Sequence, residues 1–212
     1  MPSFSPNGVK HFKDGLKRIN KIIKKHSRSF TYFYWDEPDH LMHGYGSNCK
    51  ESRQVIELID KNLSVFSKNM KEDTLVIISA DHGHIDVEPI DLYADKKLYS
   101  MLKRYPANDS RAMSFLVKEE CREEFIQHFN NLYKDYYKLY ETKEMIEKGY
   151  FGDLNVSKIN PKVYDFLGDF FAVAISNKYF TYTPNNDFII KSHHAGMTEE
   201  EMIIPLICLQ KK

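Results

Sequence analysis

Two runs bound what this chain can fold into. "SFTYFYWD" at 29–36 and "TLVIISAD" at 74–81 are continuously apolar, β-branched or aromatic until each ends in an aspartate. Such runs suit strands buried on both faces. Between them Val55, Leu58, Ile59, Leu63, Phe66 and Met70 recur at helical spacing. Strand, amphipathic helix and strand with a long crossover read as a βαβ unit, and a βαβ unit implies a parallel sheet.

The flanking segments extend this reading. Val9, Phe12, Leu16, Ile19 and Ile23 predict a helix over about 8–26, with the lysines between 17 and 25 on its wet face. From about residue 95 the pattern changes. "RAMSFLVK" reads as a strand, "CREEFIQHFNNLYKDYY" as a helix, and "TKEMIEKG" as a short helix closed by Gly149. "GDFFAVAIS" and "KYFTYT" read as a hairpin. Thr198 and Glu201 fit a capping box, so a short helix precedes the last apolar run, "IIPLICL". The expected architecture is α/β: a mostly parallel sheet flanked by helices in residues 1–94 and 186–212, with an inserted α+β lobe at 95–185.

Composition narrows the function. The chain of 212 residues is 42% hydrophobic and 28% charged, enough to bury a core. Thirty lysines and arginines balance thirty aspartates and glutamates, so no nucleic-acid-binding signal appears. No apolar run reaches the ~18 residues of a membrane span. Cys49, Cys121 and Cys208 are scattered, which fits a reducing compartment rather than a disulfide framework. A cytoplasmic setting is expected, with any targeting sequence lost if the chain is a fragment.

Chemistry is expected where the strands end, because open α/β sheets bind ligands beyond their strand carboxyl ends. "WDEPDHLMHG" follows the first strand and "ADHGH" caps the second. Asp39 and His43 are four apart, so one helical turn places both on one face. His193 and His194 lie in a loop able to approach the same end. Imidazoles mixed with carboxylates suit zinc, manganese or iron better than magnesium. Taken singly, each motif is equally compatible with a solvated helix pair, a strand-end turn or a surface histidine. Their order along the chain, each at a strand end, favours a metal.

"EPDHLMHGYG", "ISADHGH" and "HAGMTEEEMIIPL" together resemble motifs of the alkaline phosphatase superfamily, specifically its type I phosphodiesterase / nucleotide pyrophosphatase branch. The resemblance implies an alkaline-phosphatase-like fold. It implies that Asp39, His43 and His194 ligate one metal, and that Asp81 and His82 ligate its neighbour. The pair would be divalent transition metals, zinc first and manganese second. Ala80 and Ala195 stand where the family often has serine and glycine. His40, His84 and His193 match no ligand of the pattern, and Arg111 is a candidate substrate-binding residue.

The family's Thr or Ser nucleophile and a further aspartate ligand precede the Asp-x-x-x-His motif. Here 38 residues precede Asp39, and Ser3, Ser5, Ser27 and Ser29 lack a strand-end setting. The chain therefore resembles the C-terminal part of a phosphodiesterase, with its second metal site incomplete and no catalytic nucleophile of its own. Its partners would be a phosphate-ester or nucleotide substrate and the N-terminal remainder of the same catalytic domain. The alternatives are another member of the superfamily, a phosphomutase or a phosphonate hydrolase, or a non-catalytic metal-binding or interaction domain.

Overall fold

The computed structural model describes residues 8–152, 160–184 and 189–211. Ser3, Ser5 and the expected lobe boundary at 185/186 lie outside the described residues. The chain divides into two compact units, residues 1–81 with 204–212, and residues 82–203.

In the first unit, helices Phe12–Lys25 and Lys50–Asn69 form where the apolar spacing predicts them. Their inward stripes meet at Leu16, Phe66 and Met70, all buried, with Phe33, Leu63, Val76 and Leu209 against them. Val76 and Leu209 come from the strands Thr74–Ser79 and Leu206–Lys211, which pair antiparallel. Partners across an antiparallel ladder point the same way, so Val76 and Leu209 face the helices together. The opposite face carries Leu75, Ile77 and Leu206, at 60%, 61% and 72% exposure.

Two expectations change here. Residues 29–36 belong to no ladder among the described residues, and the sheet joining 74–79 to the C-terminus is antiparallel, not parallel. Apolar character encodes burial, whereas a strand is defined by backbone partners and its direction by the connection that delivers it. Nor is 29–36 buried on both sides. Phe33 and Trp35 pack their rings near Phe12, while Phe30, Tyr32 and Tyr34 are exposed. The segment keeps its period of two but covers the core with one side.

The second unit is built on an antiparallel sheet in the order Ala107–Asp109, Ala112–Phe115, Phe170–Ala174, Tyr137–Glu141. Helix Arg122–Tyr133 lays Phe125 and Phe129 onto it, against Phe115 and Phe170. All four rings are essentially inaccessible. Truncating one leaves a cavity the neighbouring rings cannot fill, so Phe125→Ala is expected to lower stability by about 3–5 kcal/mol. Urea unfolding measures it, and a loss below about 1 kcal/mol would contradict this packing.

"GDFFAVAIS" and "KYFTYT" do not form the expected hairpin. Phe170–Ala174 joins the four-stranded sheet, and Lys178–Thr181 pairs in parallel with Glu88–Asp91. Arg111, described below, occupies the turn between them. A third ladder is short and functionally central. Ile85–Asp86 pairs antiparallel with Ser192–His193, which draws "HGH" and "HH" together.

Candidate metal centre

In the first unit, Asp39 opens the helix Asp39–Tyr45 and His43 lies one turn on. Oδ1 of Asp39 is 3.5 Å from Nε2 of His43, so the predicted single face is realised. An acidic residue in the first turn and an imidazole in the last also suit the helix dipole. Glu37 accepts the Leu41 N–H at 3.4 Å and so caps this helix from outside the Asp-His pair. Asp81 lies toward the same region. Its charge is the largest cause raising the Tyr34 phenol above its ordinary range, ahead of burial, Asp39 and Asp36. Carboxylates from both predicted motifs thus surround one phenol.

The second unit holds three imidazoles. The rings of His82 and His194 are stacked at 3.7 Å, 18° apart. His84 completes the group, 5.6 Å from His82 and 5.2 Å from His194. Nδ1 of His82 lies 3.0 Å from its neighbour's carbonyl, Gly83 O. A carbonyl only accepts, so this bond puts a proton on Nδ1. His84 Nδ1 is hydrogen-bonded to the buried Ser192 hydroxyl at 2.7 Å. A ring oriented by a hydrogen bond at one nitrogen is the arrangement that metal-ligating histidines adopt. The residues fit a transition metal.

Sequence reasoning left out His84 and separated His82 from His194. The spacing His-x-His was the missed signal, since alternate residues of an extended segment face one way. His193 instead sits in the Ser192–His193 strand, buried, with Nε2 3.5 Å from Asp109.

Arg111 is not placed to bind substrate. It is fully buried, and its guanidinium grips Glu201 with two bonds, Nε to Oε1 at 2.7 Å and Nη2 to Oε2 at 2.6 Å. It also donates to the carbonyls of Lys178 and Ser176. The Thr198–Glu201 capping box forms as predicted. Burial pushes the Glu201 carboxyl up, but Arg111, Thr198 and the Gly196 N–H outweigh it and hold the group below the ordinary glutamate range. Ala195 has φ +79, left-handed backbone that a Cβ disfavours. A glycine there would be unstrained.

The type I phosphodiesterase / nucleotide pyrophosphatase family matches residues 5–199, and the chain belongs to it. Among curated proteins, human ectonucleotide pyrophosphatase/phosphodiesterase family member 5 is 23% identical over 190 residues, covering 83% of this chain and 36% of that protein. Murine ectonucleotide pyrophosphatase / phosphodiesterase 5, solved as an inactive variant in complex with AMP, superposes with a TM-score of 0.67 at 20% identity. That match covers 96% of this chain and 53% of the murine one. Phosphonoacetate hydrolase from Sinorhizobium meliloti, solved with phosphonoformate, gives 0.59 at 16% identity, over 82% of this chain and 44% of that one. The fold is therefore mixed α/β and alkaline-phosphatase-like, with a partial sheet. The chain spans about a third of the curated relative and about half of the solved ones. No described helix is long and apolar enough to cross a membrane.

Proposed function

We propose that this chain is the C-terminal part of a metal-dependent phosphodiesterase or nucleotide pyrophosphatase. The observation that carries the proposal is the imidazole cluster of His82, His84 and His194, two of whose rings are oriented by hydrogen bonds at Nδ1. Asp39 and His43, paired on one helical turn, supply the complementary carboxylate and imidazole. In this reading Asp39, His43 and His194 ligate a first ion, as the family pattern implies, with zinc preferred for mixed N/O donors, and His84 stands beside His194. Asp81 and His82 belong to a second ion, whose remaining ligands come from outside this chain.

Divalent ions bound there would neutralise phosphoryl oxygens and favour an attacking oxygen nucleophile. The chain's own residues orient those donors. The Ser192 hydroxyl and the Gly83 carbonyl hold the His84 and His82 rings, and the helix Asp39–Tyr45 fixes the Asp39–His43 spacing. The nucleophile is assigned to the remainder of the domain. Relatives of about twice the length and the exposed apolar face at Leu75, Ile77 and Leu206 support a further layer of chain on this sheet. Family membership supports a phosphodiester or nucleotide anhydride as the substrate class.

The test pairs zinc titration with hydrolysis of bis-p-nitrophenyl phosphate and phosphonoacetate. The isolated chain is expected to take up zinc and leave both substrates at the background rate. Adding the N-terminal part of the human relative is expected to start phosphodiester turnover. Full turnover by the chain alone would put the nucleophile within it. Preference for phosphonoacetate would instead assign it to phosphonate hydrolysis.

A further inference from the structure

Building on that metal centre, we propose that Glu201 is the positioning residue of the histidine cluster. Its side chain fixes the segment carrying His194, and its backbone fixes the segment carrying His82 and His84. A capping box needs two reciprocal hydrogen bonds. The Glu201 carboxylate accepts five: Arg111 Nε and the Gly196 N–H on Oε1, and Arg111 Nη2, the Thr198 N–H and the Thr198 hydroxyl on Oε2. Gly196 is two residues beyond His194. The Glu201 carbonyl accepts the Gly83 N–H at 2.8 Å, and Gly83 lies between the other two histidines.

Both contacts are made at closest approach. A Cβ on Gly83 would stand 1.9 Å from the Glu200 carbonyl oxygen, and one on Gly196 would stand 2.5 Å from both Arg111 Nη2 and Glu201 Oε2. Both segments therefore pack directly against residues 200 and 201 or the Arg111 that grips Glu201. A residue serving only the short helix Glu199–Met202 would need neither the guanidinium nor the Gly83 bond. Ligand rings must be held within about 0.5 Å of their working geometry, so a shift of Glu201 would be felt at His194 and at His84 together.

The experiment measures zinc affinity, the cobalt(II) absorption spectrum and the side-chain nitrogen NMR of His82, His84 and His194. It uses the wild type, Glu201→Gln, and the double variant Arg111→Met/Glu201→Met. Glu201→Gln leaves the buried guanidinium without its counter-charge. The double variant removes both charges and is expected to melt at a higher temperature than Glu201→Gln. Zinc affinity should nonetheless fall about 10- to 100-fold in both, the range for losing a group that orients ligands. The cobalt bands and imidazole nitrogen signals should shift in both. A purely structural role predicts that affinity recovers with melting temperature in the double variant, and that result overturns the proposal. If the wild type takes up no zinc, the metal centre fails, and unchanged imidazole signals in the variants would then refute the positioning role separately.

Discussion

Arg111→Met is expected to destabilise the unit of residues 82–203 by about 3–5 kcal/mol, because it strands the Glu201 carboxylate without its partner in a fully buried setting. Part of the loss comes from the carbonyls of Lys178 and Ser176, which would lose their guanidinium donor. Exposure decides the size of such effects. The pair Lys148–Glu144 is equally short but solvated on both sides, and removing it should have no measurable effect on stability.

The Arg111 effect should also depend on pH, with a sign that follows from Glu201. Its carboxyl is held below the ordinary glutamate range in the folded chain. The stabilisation is therefore complete above the unfolded value, ~4.3, and is lost as pH falls through the lower folded value. Urea unfolding of wild type and Glu201→Gln should give curves far apart at pH 7 that converge in acid. A gap independent of pH would mean that the carboxylate is not held by charge.

Local pattern carried well where one element explains itself. The helices at 12–25, 50–69 and 122–133, the capping box and the Gly149 helix end, which has φ +73, were legible from spacing and capping chemistry. So was the Asp39–His43 turn. Pairing was less legible. The 29–36 run and the 170–181 pair of strands were misjudged because an apolar run does not name its partner. His84 was hidden for a similar reason. Its place beside His194 depends on the two-residue ladder of Ile85–Asp86 with Ser192–His193, set by residues more than a hundred apart. Arg111 was misread because burial is not visible in "NDSRAMSF", where an arginine next to polar residues reads as exposed.

The domain division follows the same logic. Changes in pattern suggested boundaries at 94/95 and 185/186, and packing divides the chain after Asp81 and after Ile203. The packing boundary separates the adjacent Asp81 and His82. We propose that the 95–185 region governs which substrate fits, since specificity elements are usually loop-borne.

Zinc titration of point variants tests the metal centre most directly. Wild type, His43→Ala, His194→Ala and Glu37→Ala are titrated with zinc against a competing chelator at neutral pH. Removing a direct ligand should weaken binding more than the 10- to 100-fold typical of an orienting group, so each histidine variant should lose about 10²-fold or more. Glu37→Ala should bind as wild type, because Glu37 caps a helix. Loss in both histidine variants with Glu37→Ala intact is the predicted result, and equal affinity across all four proteins would contradict the metal centre.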